Sequence, residues 1–227
     1  NPTFAKETIY AYISDGGIQE EISQGGARIA ATLGLDNLIM FYDSNDIQLS
    51  TETAEVMCED TAAKYRALGW EVIEINGNDA AEIRAAIEAA KAVVGKPALI
   101  IGKCVMGKGA LNADGSSYER NCKTHGAPLG GDAFVNTVKN LGGDPENPFQ
   151  IFEDVKELYA NRAEELKTIC AARYAEEAEW AAANPEKAAA QADWFANKAP
   201  QIDWSKVQQK ANDATRNASA ACLAALA

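Results

Sequence analysis

The sequence holds a single histidine, His125, and no CxxC pair among its five cysteines. It nowhere approaches the roughly 18 consecutive apolar residues of a membrane-spanning helix. Each shortage excludes something. Cys58, Cys104, Cys122, Cys170 and Cys222 are odd in number and widely spaced, so neither a disulfide framework nor a zinc site is expected, and they read as small buried hydrophobes. Basic residues are also scarce. The 21 Lys and Arg against 33 Asp and Glu give a formal charge of −12, a field that repels phosphodiester backbones and anionic membranes alike. No nucleic-acid partner and no membrane partner is expected. The opening NPTFAKETIYAYI lacks both a basic n-region and a signal-type cleavage site, and the expected location is cytoplasmic. What remains, 47% hydrophobic and 24% charged residues in a chain of 227, is the make-up of a soluble globular protein of one or two domains.

The first hundred residues alternate short apolar runs with longer helical patterns, which predicts an α/β fold with a parallel sheet and helices on both faces. TIYAYI (Thr8 to Ile13), NLIMFYD (Asn37 to Asp43), WEVIEI (Trp70 to Ile75) and ALIIGK (Ala98 to Lys103) are nearly continuous apolar runs, expected as central strands. Ile18, Ile22, Ile29 and Leu33 form a stripe on one helix, expected to lie on the sheet and to end at Gly34. Ala-rich segments at Asp60 to Leu68 and Ala80 to Val94 supply two further crossovers, all of one hand. A glycine-rich stretch without periodicity, MGKGALNADGSSYERNCKTHGAPLGGD, follows the fourth strand, and long loops of that kind are usually functional. A helical, alanine-rich region runs from Asp154 to about Lys198, with a linker at Pro200 and a last helical pattern from Ser205.

Chemistry concentrates where strands end. The first strand runs into Ser14-Asp15-Gly16-Gly17, which puts Asp15 at the carboxyl end of a parallel strand, where open α/β sheets bind ligands. Glycines there admit a phosphate, and the N–H groups of the following helix favour one. An aspartate would repel a bare phosphate, so a divalent cation between the two resolves the conflict. Magnesium suits, taking one or two protein oxygens together with phosphate and water. The second strand ends in Asp43-Ser44-Asn45-Asp46-Ile47, which places Asn45 at the equivalent end of the neighbouring strand. Alone, SDGG is a common tight turn and DSND a common loop.

Taken together, the two segments resemble the cofactor motif of thiamine diphosphate enzymes. DGGIQEEISQGGARIAATLGLDNLIMFYDSNDIQLS, GWEVIEINGND, KPALIIGKCVMGKG and above all THGAPLG resemble transketolases of the bacterial type across nearly the whole chain. The resemblance implies a thiamine-diphosphate-binding fold followed by a helical linker region. Residues 1–150 would form the domain that binds diphosphate and magnesium, its amino-terminal part missing. Residues 151–204 would be a helical extension and linker, and residues 205–227 the start of a second, pyrimidine-binding domain. The implied cofactors are thiamine diphosphate and Mg2+, with Asp15, Asn45 and the carbonyl of Ile47 as metal ligands. Gly16 N–H would touch the diphosphate, Leu49 would pack against the cofactor rings, and Lys103 and His125 would stand near the diphosphate and substrate. A lone histidine is more often a surface or satisfied residue, but its place in THGAPLG, and an imidazole's capacity to donate or exchange a proton, favour a catalytic and substrate-binding role.

Glu20 corresponds to a glutamate at the family's dimer interface, or else is an exposed acid near a helix start. Gly25 stands where many members carry a second acid, so that coupling network departs from the family pattern. ATRNAS resembles a segment whose arginine binds a substrate phosphate, and Arg216 takes that position. A solvated helix arginine is the competing account. The implied activity is transfer of a two-carbon ketol group from a ketose phosphate to an aldose phosphate, in the pentose phosphate pathway. The implied partners are sugar phosphate substrates and a second subunit, in a homodimer through the cofactor domains. The chain is expected to be part of a longer enzyme and inactive alone. A related enzyme, such as a dihydroxyacetone synthase or deoxyxylulose phosphate synthase, and a noncatalytic interaction module are the alternatives.

Overall fold

The computed structural model describes residues 1, 7–199 and 201–226, so the linker expected at Pro200 lies outside the described residues. Two compact units divide the chain: Lys6–Ala163 in one, Asn1–Ala5 with Glu164–Ala227 in the other. In the first, four strands, β1 (Ile9–Ser14), β2 (Leu38–Ser44), β3 (Glu71–Asn76) and β4 (Ala98–Lys103), pair in parallel in the order β1-β2-β4-β3. Apolar runs too continuous for a half-wetted strand locate all four within a residue. Only β2 and β4 are central among the described residues. β1 lies at an edge with Ile9, Tyr10 and Tyr12 exposed, contrary to the expectation that every run would be covered on both faces.

Each crossover helix is placed by the pleat of the strands beneath it. Alternate residues of β4 face opposite ways. Leu99 joins Tyr42, Val72 and Tyr65 in a cluster under α2 (Glu21–Thr32) and α3 (Thr61–Leu68). Ala98 and Ile100 join Ile39 and the buried Ala86 and Ala90 of α4 (Ala80–Lys91). The sheet therefore carries helices on both faces. The return step from β3 to β4 puts α4 opposite the others, as a constant crossover hand requires. Full burial of Leu99 and of Ile100 stabilises the sheet by about 1.5–3 kcal/mol each. Asp60 caps α3 and Asp79 caps α4, each accepting from backbone N–H groups of the first turn.

The helix after β1 departs from its pattern. It is two helices, α1 (Asp15–Gln19) and α2, broken at Glu20, where the backbone is extended (φ −62, ψ 135). The break turns α2 so that small Ala27 and Ala30 meet the sheet, letting Trp70 Nε1 donate to the Ala27 carbonyl at 2.9 Å. Ile18 is buried, but Ile22, Ile29 and Leu33 point outward instead of lying on the sheet. Gly34 ends α2 as expected. Its left-handed backbone (φ +62) lets Gly34 and Leu35 N–H donate to the carbonyls of Ala31 and Ala30.

The glycine-rich stretch is ordered by its own bonds. Leu111 bridges Ser117, Leu111 N–H donates to Thr137 Oγ1 of α5 (Gly131–Asn140), and a 3-10 turn spans Cys122–His125. Beyond it, α6 (Glu153–Ala183) and α7 (Pro185–Phe195) bear out the helical reading of the alanine-rich region. Neither buries a residue, and alanine propensity with i,i+3 pairs such as Lys167–Glu164 supports α6. The last helix, α8 (Thr215–Ala224), begins ten residues after the expected Ser205, which lies in a 3-10 turn instead. All five cysteines are free and none is buried: Cys58 and Cys170 are exposed and the rest half-buried, a correction to their reading as core hydrophobes. Among the described residues no helix is long and apolar enough to cross a membrane.

Candidate functional site

Strand register brings the site together. Ser14 pairs with Asp43, Ser44 with Lys103, and Asn76 with Lys103, so β1, β2 and β4 deliver Asp15, Asn45 and Lys103 along one row at the carboxyl edge of the sheet. Asp15 opens α1 and is only 1% exposed. Its Oδ1 accepts from Tyr42 OH at 2.6 Å and its Oδ2 from Asn45 N–H at 2.9 Å. Burial and then this carboxylate push the Tyr42 phenol well above its ordinary pKa, so Tyr42 stays a proton donor.

Asn45 is held by a second aspartate. Asp43 accepts from Tyr12 OH at 2.6 Å and from Asn45 Nδ2 at 3.3 Å, while Asn45 Oδ1 accepts from Ile47 N–H at 3.1 Å. This network turns the amide oxygen toward the Asn45-Ile47 loop. Ile47 is 4% exposed, and its carbonyl accepts no hydrogen bond among the described residues. Although the Tyr12 ring is exposed, the pKa of its phenol is raised to about 12, first by desolvation of the hydroxyl and then through its hydrogen bond to Asp43. Cys104 follows the same causes to about 11, so at neutral pH it is a thiol.

Asp15 and Tyr42 border a cleft of about 450 Å³ that Ser44, Asp46, Thr53 and Lys103 also line. One buried polar atom on the cleft wall has free hydrogen-bonding capacity. Thr53, 7% exposed, has an Oγ1 without a hydrogen-bond partner among the described residues. Asp15 has no ion pair among the described residues, and a buried carboxylate held only by neutral donors is costly without a cation. Each Asp15 oxygen keeps acceptor capacity. Among the described residues no three His, Cys, Asp or Glu side chains gather into a metal cage. A ligand set of one carboxylate, one amide oxygen and one carbonyl needs none, and it fits a hard cation that keeps water and phosphate in its shell.

Gly16 is exposed, with open space where a Cβ would stand, so backbone approach by a ligand is free there. Lys103 Nζ is ion-paired with Asp46, whose other oxygen lies 3.9 Å from Arg120 Nη1. Leu49 is exposed, and a Cβ on Gly126 would lie 3.9 Å from its Cδ1, which puts the histidine-bearing turn beside the loop after β2. His125 closes that turn, exposed and without a hydrogen-bond partner among the described residues. A second cleft of about 450 Å³ runs between Leu49, Glu52, Arg120 and Lys123. Glu20 is exposed at the α1–α2 break, away from this row, and Gly25 is half-buried on α2. Arg216 is exposed in the first turn of α8, in the other unit. Tyr42, Asp43, Asp46, Thr53 and Arg120 were not singled out from sequence. Tyr42 and Asp43 lie inside an apolar run that reads as strand, and Asp46 lies in a segment that reads as a common loop.

Comparison with known proteins agrees with this architecture. A family described as "Transketolase, thiamine diphosphate binding domain" matches residues 2–200. A transketolase of Mycobacterium bovis is 41% identical over 148 residues, 65% of this chain and 20% of that protein. One of Staphylococcus epidermidis is 42% identical over 151 residues, 66% of this chain and 22% of that protein. The solved transketolase of Leishmania mexicana superposes with a TM-score of 0.85 at 31% identity, covering 100% of this chain and 34% of that one. The chain thus spans about a fifth of the length of these curated relatives. By this match the chain belongs to the transketolase family, in its thiamine diphosphate-binding domain.

Proposed function

We propose that this chain holds the diphosphate end of thiamine diphosphate through magnesium, as part of a longer transketolase. The observation that carries the reading is the buried Asp15 carboxylate at a parallel strand end beside Asn45 and the Ile47 carbonyl, with neither a cation on the carboxylate nor a donor on that carbonyl among the described residues. Asp15, Asn45 Oδ1 and Ile47 C=O hold the cation. Tyr42 compensates the buried Asp15 carboxylate with a hydrogen bond, and Asp43 is a positioning residue that fixes the Asn45 amide. Gly16 N–H, Lys103 and His125 meet the diphosphate, and Leu49 supplies an aliphatic contact to the cofactor rings.

When bound, thiamine diphosphate supplies the nucleophilic carbon and electron sink that ketol transfer needs. His125 donates to the diphosphate and exchanges a proton with the donor sugar. Arg216 grips a substrate phosphate. The substrates are a ketose phosphate and an aldose phosphate, and the setting is the pentose phosphate pathway in the cytoplasm. Two subunits pair through the cofactor domains, with Glu20 at the interface. Residues 1–150 act as the cofactor domain, 151–204 as extension and linker, and 205–227 open the pyrimidine-binding domain. Calorimetry of the full-length protein tests the site: Asp15→Ala abolishes magnesium-dependent cofactor binding, and wild-type affinity in that variant would sink the assignment.

A further inference from the structure

Asp46 stands in sequence between Asn45 and Ile47, two of the three proposed metal-ligating residues, yet its own carboxylate pairs with cations. It pairs with Lys103 Nζ at the end of β4, and its second oxygen lies 3.9 Å from Arg120 Nη1. All three side chains are about half-exposed, so a solute can reach them. Among the described residues of the Lys6–Ala163 unit, Asp46 (φ 69) and Arg120 (φ 55) are the two non-glycine residues with left-handed backbone. Such conformations are costly and persist where surrounding structure enforces them. Here the Asp46 carbonyl accepts from Thr53 N–H at 2.9 Å, and Arg120 N–H donates to the Met106 carbonyl at 2.9 Å. Two residues with left-handed backbone, from separate loops, are thus held with the Asp46 carboxylate between Lys103 and Arg120.

The cleft beside them is lined by the carboxylates of Asp15, Asp46, Glu59, Asp60 and Glu74, and Lys103 is the cationic side chain on its described wall. An entering anion needs Lys103 and Arg120, whose ammonium and guanidinium groups suit phosphate oxygens. Asp46 holds both. We propose that the Asp46 carboxylate is a built-in anion occupying the Lys103–Arg120 subsite, displaced when the diphosphate enters, so that Asp46 sets the affinity and entry rate of the anion. The proposal rests on the cofactor site described above. Once displaced, the carboxylate turns to solvent while its backbone stays pinned by Thr53.

The test is titration of the full-length protein with thiamine diphosphate at saturating magnesium, by calorimetry for affinity and by stopped flow for association. Asp46→Asn keeps the side-chain shape and tolerates the left-handed backbone, and Asp46→Gly relieves it altogether. Both variants bind about three- to tenfold tighter and associate faster, the scale of two exposed ion pairs no longer in competition. Adding Lys103→Met to Asp46→Asn removes the gain. Asp15→Ala separates the two levels of the argument. Loss of binding there, with unchanged or weaker affinity in both Asp46 variants, overturns the displaced-carboxylate account and leaves the cofactor site standing. Wild-type binding in Asp15→Ala removes the cofactor site and this proposal together.

Discussion

Tyr42→Phe deletes one oxygen from a residue that is almost fully buried, and that oxygen donates to Asp15 at 2.6 Å. The ring remains, so no cavity opens, and the loss is confined to a hydrogen bond with a charged acceptor. Such bonds contribute about 1.5–3 kcal/mol, more than neutral ones, because the buried carboxylate finds no water in exchange. Without magnesium the variant should therefore lose about 2 kcal/mol. With a urea m-value of about 2 kcal/mol/M, its unfolding midpoint moves down by about 1 M. Magnesium affinity moves differently. The carboxylate left with only Asn45 N–H is less well compensated, so it holds a cation as tightly as before or more so. Urea unfolding without metal, paired with magnesium titration of the same variant, reads both. An unchanged midpoint would mean that the hydroxyl does not support Asp15. A fall in magnesium affinity that tracks the fall in stability would mean that Asp15 is not the group that meets the metal.

Tyr65→Phe removes a phenol that is buried without a hydrogen-bond partner, so it should raise stability by up to about 1 kcal/mol at pH 7. Burial lifts the Tyr65 pKa from 10.0 to about 12, so the unfolded chain ionises first. Stability is intact below pH 10 and falls between 10 and 12 by about 1.4 kcal/mol per pH unit for each such tyrosine, and the variant's pH–stability curve should lack that share. Gly102→Ala puts a Cβ 2.5 Å from Phe41 Cζ, and its thermal unfolding should show a loss of about 1–3 kcal/mol. His125→Ala in the full-length enzyme should lower kcat more than it weakens magnesium binding; equal losses would make His125 a structural residue.

Much of the fold is legible because parallel strands read as continuous apolar runs of strand length separated by longer helical patterns. The Gly34 terminator is local chemistry and reads directly. The face of α2 is not. Four branched residues at helical spacing suggest a stripe against the sheet, but the Glu20 break rotates the helix and alanines take the contact because Trp70 fills the space. A stripe pattern cannot see a break of two torsions. At the site, Asp15, Asn45 and Lys103 are legible as strand-end residues because parallel register aligns ends. Tyr42, Asp43 and Thr53 are not, since their roles come from hydrogen bonds across strands and loops that sequence distance conceals. The Asp46–Lys103 pair likewise joins residues from separate crossovers.

The central claim is that Asp15, Asn45 and Ile47 hold a cation that holds a diphosphate. It is tested most directly by replacing magnesium with manganese in crystals of the full-length protein with thiamine diphosphate and locating the metal by anomalous scattering. The account predicts one peak at the carboxyl ends of β1 and β2, within about 2.0–2.3 Å of an Asp15 carboxylate oxygen, Asn45 Oδ1 and the Ile47 carbonyl, with diphosphate oxygens completing the shell. A metal bound elsewhere, or a diphosphate seated with Asp15 still bonded only to Tyr42 and Asn45, would contradict it.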